Sequence, residues 1–205
     1  MPFLKEFTIN EKTKIKLWKV TLGEIDHSNL DDYDRNLLDL KKNHLSKEQF
    51  LAIRKLIELE NLNYKIRYNK FGKPSINSTL NISISHSNEI AAIVFSNNKR
   101  IGLDVQLKES KILNIQNKFL NKSEKLNIGD NPSVDILTMM WTSKESIYKA
   151  IGLKGVSFSN NIKIDKVIEK DKTGKGCYIK GNEKTKFILN FFYLDRYTIC
   201  YAFEV

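Results

Sequence analysis

The sequence predicts an α+β fold made of two similar halves, each with an antiparallel sheet packed on helices. Three observations lead to this prediction. Apolar runs of strand length are separated by short turns, as at residues 82–87 and 90–96. Longer apolar patterns at residues 46–62 and 133–152 repeat with helical spacing. The order of strand, helices and antiparallel strands occurs twice along the 205 residues.

The elements of the first half follow from local patterns. A strand is predicted at residues 15–22, a short helix with an acidic first turn at 29–40, and a helix at 46–62 that opens on a capping pattern at Ser46. Next come a short strand at 64–68 and a turn at 69–75 that contains glycine and proline. The two apolar runs at residues 82–87 and 90–96 then form a hairpin around Asn88 and Glu89.

The second half repeats this plan. A buried strand is predicted at residues 100–106 and the longest helix at residues 133–152. Between them, short helices are predicted at residues 112–127, with Ser123 as an N-cap candidate. Strands follow at 162–168, 177–180, 186–194 and 197–203, with a hairpin turn at 171–176. No linker rich in proline or serine divides the chain. We therefore expect residues 1–98 and 99–205 to pack as one unit.

Composition narrows the classes of function. The hydrophobic fraction of 41% predicts a packed core, and no apolar run approaches the roughly 20 residues that span a bilayer. Charged residues interrupt the first segment at once, so we expect no signal peptide, no membrane binding and a soluble, cytoplasmic protein. Cys177 and Cys200 lie outside any CxxC or Cys/His cluster, which predicts reduced, buried thiols and no zinc site.

The formal net charge of +10 favours a polyanionic partner. The basic residues are scattered, with no zinc-finger pattern and no basic region followed by heptads. We therefore expect no nucleic-acid binding. Charge alone leaves a basic RNA- or DNA-binding module open as an alternative function.

One candidate for catalysis is the predicted strand RIGLDVQ. Gly102, Asp104 and Gln106 alternate with apolar residues and therefore share one face of the strand. A buried carboxylate needs a cation, a metal or hydrogen-bond donors around it. Gly102 would leave room for a ligand close to the backbone. An ordinary salt-bridged or capping aspartate is the alternative interpretation of Asp104.

The second candidate is the predicted helix WTSKESIYKAIG. Trp141, Glu145 and Lys149 recur every four residues and share one face, while Lys144 lies about 100° around the helix, where it could reach the rim of the same site. If strand and helix meet, two carboxylates and an ammonium would form a site for a metal and a phosphate. An ordinary surface ion pair between Glu145 and Lys149 is the alternative.

His86 lies between Ser85 and Ser87 at the mouth of the predicted hairpin. Two hydroxyls beside an imidazole form a donor-rich corner that suits phosphate oxygens, and Lys73 in the nearby turn FGKP would add a positive charge. A lone histidine near apolar residues is more often packed than catalytic, and that alternative stays open. Motifs of P-loop, dinucleotide, serine-hydrolase and zinc-protease sites are absent from the sequence.

The order of these motifs resembles a known family. FGKP, then SHS, then GLDVQ about fifteen residues later, then WTSKESIYKA resemble the 4′-phosphopantetheinyl transferases of the surfactin-synthetase type. The final YTICYAFEV resembles the closing strand of that family. The resemblance covers residues 69–205 in order, while the first sixty residues fit only in length and element pattern.

The resemblance implies an enzyme that moves the phosphopantetheine arm of coenzyme A onto a serine of an apo acyl or peptidyl carrier protein and releases 3′,5′-ADP. It also implies two α+β halves with coenzyme A in the cleft between them, and a working monomer. Carrier proteins are usually acidic around the modified serine, so a basic enzyme surface would speed encounter. We expect that surface near residues 112–125.

The resemblance further implies roles for single residues. Asp104 and Glu145 would bind Mg²⁺, and Lys149 would contact the pyrophosphate. Glu145, directly or through a water, is our hypothesis for the base that takes the serine proton. The catalytic residues are therefore expected to be Glu145, Lys149 and His86. The residues expected to contact coenzyme A are Lys73, Ser85, His86, Lys144 and Lys149.

One position departs from the family pattern. Members often carry a second acidic residue two positions after the strand aspartate, where this chain has Gln106. An amide oxygen can ligate Mg²⁺ but brings no charge, so Gln106 is a candidate third ligand. A homologue that binds coenzyme A or a carrier without catalysis is a further alternative. The candidates for the 3′-phosphate contacts are Lys41, Lys42, His44 and Arg54.

Overall fold

The chain forms an α+β fold with antiparallel sheets, as the sequence predicts. The structure is a computed structural model and describes residues 3–26, 30–60, 64–98 and 100–205. Within these ranges no helix is long and apolar enough to cross a membrane. Cys177 and Cys200 are both free and buried, which confirms the prediction of reduced structural thiols.

The first half holds one main sheet, one small sheet and two helices. Its elements are β1 (Phe3–Asn10), β2 (Thr13–Lys19), α1 (Asp32–Asp39), α2 (His44–Glu58), β3 (Ile66–Tyr68), β4 (Pro74–Ile76), β5 (Asn81–Ser87) and β6 (Ile90–Ser96). The main sheet has the order β1-β2-β6-β5, and β3 and β4 form the small two-stranded sheet. Helix α2 buries Phe50, Ile53 and Leu56 against Trp18 and Phe95 of this sheet.

The second half holds a five-stranded sheet and three helices. Its elements are β7 (Ile101–Leu107), α3 (Ile112–Phe119), α4 (Lys122–Ile128), α5 (Val134–Ile151), β8 (Ile162–Ile168), β9 (Thr173–Lys180), β10 (Glu183–Leu194) and β11 (Tyr197–Glu204). The sheet order is β7-β11-β10-β9-β8. Helix α5 lies on one face of the sheet, with Leu137 and Ile147 fully buried.

The free faces of the two main sheets pack on each other. Leu17 of β2 and Val94 of β6 share one apolar cluster with Leu103 of β7 and Ile199 of β11. The order of layers is therefore helix, sheet, sheet, helix, and the functional residues lie where β5 and β7 meet. The predicted boundary falls between β6 and β7, where residue 99 lies outside the described residues. The similarity of the two halves stays a prediction.

Serine hydroxyls of β5 accept hydrogen bonds from backbone N–H groups at the outer edge of β7. An edge strand presents backbone N–H groups that have no partner in its own sheet. Three of these groups on β7 donate to serine hydroxyls of β5: Leu103 to Ser83 at 2.9 Å, Val105 to Ser85 at 3.1 Å and Leu107 to Ser87 at 3.0 Å. This ladder sets the register between the two sheets and brings β5 alongside Asp104.

Two predicted helix starts in the first half need revision. Helix α2 begins at His44 because Asn43 is its N-cap and Ser46 supplies the reciprocal bond of the capping box, so Ser46 is not the N-cap. The helix ends at Glu58, and its predicted end near residue 62 lies outside the described residues. The predicted start of α1 at Asn29 also lies outside them, and α1 is capped by Asp31.

In the second half the predicted bounds of α5 are confirmed, with Ser133 as N-cap and Gly152 as a left-handed C-cap at φ +65°. The N-cap prediction for α4 is wrong. Asn121 caps this helix, because its side chain accepts from the backbone of Glu124 and the Glu124 side chain accepts from the backbone of Asn121. Strand β1 was not predicted, and β9 begins at Thr173, inside the predicted turn.

Candidate active site

The strand and the helix that carry the candidate residues lie directly on each other. Gly102 on β7 allows this approach, because a Cβ atom there would lie 1.8 Å from the backbone oxygen of Ser146 on α5. The Ser146 hydroxyl donates to the Cys200 carbonyl at 2.9 Å, which ties α5 to β11 as well. The expectation that Gly102 leaves room for a ligand is wrong, since the helix backbone fills that space.

Asp104 and Lys149 form an ion pair across this contact. Lys149 Nζ donates to Asp104 Oδ1 at 2.7 Å and to Ser85 Oγ at 2.8 Å. Ser85 Oγ donates to the same Asp104 oxygen at 2.9 Å and accepts from the Val105 N–H. The Ser85 hydroxyl therefore uses its one donor and both acceptor positions inside the protein. Ser85 links three elements: β5, β7 and α5.

The second oxygen of the same carboxylate is different. Asp104 Oδ2 is buried and has no hydrogen-bond partner among the described residues, which is costly for a charged group. Glu145 lies close by on α5, and burial, followed by the negative charge of Asp104, raises the pKa of Glu145 to about 7, against the opposing effect of Lys149. A second carboxylate whose charge is disfavoured by that of Asp104, next to an unsatisfied oxygen, is an arrangement that a cation would stabilise.

The donor set fits a hard divalent ion. Within the described ranges no group of three or more His, Cys, Asp or Glu side chains could hold a metal. Mg²⁺ commonly takes only one or two carboxylates together with substrate phosphates and water. Gln106 lines the same space, and its amide nitrogen donates to Leu107 O at 3.2 Å, which does not use the amide oxygen.

These residues line a cavity of about 500 Å³ between the two halves. Side chains of α2, β5, β7 and α5 form its walls, and Trp141 closes one side while packing on Phe119 and Phe158. The expected site residues that line it are Lys41, Arg54, Ser85, His86, Asp104, Gln106, Glu145 and Lys149. Lys42 and His44, the other two 3′-phosphate candidates, do not line it.

His86 stands at the open side of this cavity. The residue is exposed at its outer side. Loss of hydration inside the cavity, and then the positive charges of Lys149 and Lys41, lower the pKa of its imidazole. The negative charge of Asp104 opposes this effect. The charges of Lys149 and Lys41 make this corner of the cavity positive, which suits an anion. The position agrees with a phosphate contact and does not bring His86 into the Asp104–Lys149 network.

Lys73 is placed elsewhere than expected. Its ammonium donates to the Ala150 carbonyl at 2.8 Å, at the carboxyl end of α5 where the helix dipole favours a cation. Its side chain fills the space beside Gly152, where an added Cβ would lie 2.4 Å from Lys73 Cδ. Burial, then the charge of Arg100, lowers the pKa of Lys73. Lys73 joins the two halves here and does not line the cavity.

Lys144 does not lie at the rim of the site. Its ammonium is fully buried, pairs with Glu124 at 2.8 Å, and donates to the carbonyls of Phe158 and Ile162 at 2.8 and 2.6 Å. Glu124 in turn accepts the N–H of Ile164 at 2.7 Å. The helix turns Lys144 away from the cavity towards α4 and β8, so the expected contact of Lys144 with coenzyme A has no support in this geometry.

Several cavity-lining residues carry no recognisable sequence motif. Phe50 and Tyr68 form an aromatic wall, and the Arg54 guanidinium lies 3.7 Å from the centroid of the Phe50 ring. Arg54 also pairs with Asp34 at 2.6 Å, which restrains it. The helical spacing of Phe50 and Arg54 is the one sequence feature that could have placed both on the same wall.

The expected partner surface on α3 and α4 is basic with exposed apolar residues. Leu113 and Leu126 are 38% and 84% exposed. Lys122, Lys125 and Leu126 line a shallow cavity of about 450 Å³ on this surface. The surface therefore combines ammonium groups with exposed apolar side chains.

Comparison with known proteins identifies the family to which the second half of the chain is similar. Residues 100–202 match the model of the 4′-phosphopantetheinyl transferase superfamily, a stretch that includes Asp104, Gln106, Glu145 and Lys149. The 4′-phosphopantetheinyl transferase gsp of Aneurinibacillus migulanus is 32% identical over 124 residues, which cover 57% of this chain and 52% of that relative. The chain therefore spans about half the length of this curated relative.

Proposed function

Because the chain belongs to the 4′-phosphopantetheinyl transferase superfamily, we propose that it transfers the 4′-phosphopantetheine arm of coenzyme A. The acceptor is a serine of an apo acyl or peptidyl carrier protein, and the second product is 3′,5′-ADP. One observation carries the proposal: Asp104, Glu145 and Lys149 converge on one wall of a cavity between the two halves. We further propose that the enzyme acts as a cytoplasmic monomer.

Asp104 and Glu145 are the proposed ligands of a magnesium ion, with Gln106 as a third oxygen donor. The unpartnered Asp104 Oδ2 and the mutual effect of the two carboxylates support this assignment. When bound, Mg²⁺ would neutralise charge on the pyrophosphate of coenzyme A, where negative charge accumulates as the arm is transferred.

The remaining residues bind and orient the substrate in this proposal. Lys149 has a side chain that is 26% exposed towards the cavity, so its ammonium can reach a pyrophosphate oxygen. Lys41 supplies positive charge and His86 a hydrogen-bond donor at the cavity mouth, where the 3′-phosphate would lie. Tyr68 and Arg54, which line the cavity beside the buried Phe50 ring, are the proposed surface on which the adenine ring stacks.

Glu145 is the proposed base for the carrier serine. Glu145 lines the cavity on the same wall as Asp104 and Lys149, so its carboxylate faces the space that the serine would enter. The carboxylate takes the serine proton, directly or through a water, as the oxygen attacks phosphorus. The 3′,5′-ADP leaves on the opposite side, in line with the attacking oxygen.

The basic surface of α3 and α4 is the proposed docking site for the carrier. Lys111→Glu, Lys118→Glu and Lys122→Glu should each raise the KM for the carrier and leave coenzyme A binding unchanged, because charge complementarity acts mainly on encounter. Lys175→Glu, on an exposed position of β9, is the matched control. Unchanged carrier kinetics in all three variants would show that the carrier does not dock on this surface.

Site variants test the proposed chemistry. Asp104→Ala and Glu145→Gln should each lower the rate of transfer by orders of magnitude, because each removes a proposed metal ligand. Asp165→Ala removes a carboxylate on β8 outside the cavity and serves as the control. If both site variants transfer the arm at the native rate while remaining folded by circular dichroism, the assignment of the site is wrong.

A further inference from the structure

One oxygen of Asp104 is already occupied by cationic and hydroxyl donors from the protein. Asp104 Oδ1 accepts from Lys149 Nζ at 2.7 Å and from Ser85 Oγ at 2.9 Å. These two bonds use both lone pairs of that oxygen. A metal ion that used this oxygen would have to displace one of these donors.

The ammonium would also repel an ion held by the other carboxylate oxygen. The two oxygens of one carboxylate are bonded to the same carbon, so a cation on Asp104 Oδ2 would lie within a few ångströms of Lys149 Nζ. Asp104 is only 7% exposed, and the effective dielectric at such a site is far below that of water. Lys149 in its observed position therefore opposes binding of a divalent ion.

The two partners of this ion pair differ in their freedom to move. Asp104 is held by the backbone of β7 and by Ser85. Lys149 has a flexible side chain that is 26% exposed and lines the cavity. The ammonium is consequently the group that can leave, and an anion in the cavity would be its new partner.

We propose that Lys149 is a displaceable internal counter-ion of the metal site. It neutralises Asp104 until the phosphates of the substrate accept its ammonium, and the carboxylate is then released to the metal. Metal and a phosphate-bearing substrate therefore bind with positive coupling that depends on Lys149. This inference rests on the proposed function and extends it to the coupling between binding of the substrate phosphates and binding of the metal ion.

Binding of Mn²⁺ to the protein without coenzyme A tests the inference directly. Electron paramagnetic resonance measures the free ion, and a pH of about 8.5 limits competition by protons for the carboxylates. Lys149→Met keeps the length of the side chain and removes the charge. We expect the variant to bind Mn²⁺ about tenfold more tightly than the native protein.

Lys41→Met is the matched control, because Lys41 lines the same cavity and no hydrogen bond or ion pair joins it to Asp104 in the described structure. We expect this variant to change Mn²⁺ affinity by less than about threefold. Lys149→Gln provides a second uncharged side chain if Lys149→Met does not fold. In the native protein, coenzyme A should increase Mn²⁺ affinity more than it does in Lys149→Met.

Unchanged or weaker Mn²⁺ binding by both Lys149 variants would overturn the inference, because it would make Lys149 neutral or helpful to the ion. Absence of Mn²⁺ binding by native protein and variants alike would overturn it together with the metal site. Failure of the transfer reaction alone, with tighter Mn²⁺ binding in the variants, would remove the proposed function and leave the inference about Lys149 in place.

Discussion

Gly102 is the position where a single methyl group should separate the two elements of the site. In Gly102→Ala the new Cβ would lie 1.8 Å from the Ser146 carbonyl oxygen and 2.8 Å from the Ala150 nitrogen. Both are backbone atoms of α5, so no side chain can rotate away to make room. The helix must instead move away from β7 to relieve the contact.

The size of that movement follows from the same distances. Ordinary van der Waals contact begins at 3.4 Å, so the gap between β7 and α5 must widen by about 1.6 Å. Trp141, Glu145 and Lys149 are part of this helix, so the shift would carry their backbone away from Asp104 by a similar distance. A misplacement of about 1 Å can lower a rate by about 100-fold, and overpacking typically costs about 1–3 kcal/mol of stability.

Gly176→Ala separates loss of activity from loss of stability. Its Cβ would lie 2.9 Å from the Lys163 carbonyl and 3.0 Å from Ile147, also beneath α5 but away from Asp104. Both variants should melt earlier than the native protein, and only Gly102→Ala should lose transfer activity by about 100-fold when assayed well below its melting temperature. Native activity in folded Gly102→Ala would refute the reasoning.

Three further variants follow from the charges around α5. Glu145→Gln should abolish transfer yet stabilise the protein by about 1–2 kcal/mol at pH 8, because a carboxyl whose pKa is raised to about 7 destabilises the fold once ionised. The gain in stability should vanish as the pH falls from 7 through 4.5, because Glu145 is then protonated in the folded and the unfolded protein alike. A gain that persists at pH 4 would contradict this prediction. Lys144→Met should lose about 3–5 kcal/mol in urea denaturation, since Glu124 would be left buried and unpaired; a loss under about 1 kcal/mol would refute that role. Gln106→Glu should keep activity and reach half-maximal rate at a lower Mg²⁺ concentration; complete inactivation would show another role for the amide.

The periodicity of the chain was enough to predict the two faces that form the site. Alternation along β7 placed Asp104 and Gln106 together, and four-residue spacing on α5 placed Glu145 with Lys149. Ser133 and Gly152 likewise marked the ends of α5. These predictions held because they depend only on local backbone geometry.

Contacts between distant segments could not be predicted in this way. Lys144 and Glu124 are twenty residues apart, and nothing in either local pattern indicates that α4 and α5 bury them together. Lys73 binds the end of α5 because the fold brings a turn of the first half to that helix. Strand β1 was missed because it lies at a sheet edge with mostly exposed residues, which removes the alternation that marks a strand.

The first experiment to perform is a direct assay of arm transfer to a carrier protein. An apo acyl carrier protein is incubated with this protein, coenzyme A and Mg²⁺, and its intact mass is measured. We predict that the carrier gains the mass of one phosphopantetheine arm, and that EDTA prevents this gain. Absence of any gain with several carriers would contradict it. Coenzyme A binding without transfer would then indicate a homologue that has lost catalysis, and absence of coenzyme A binding would favour a basic nucleic-acid-binding module.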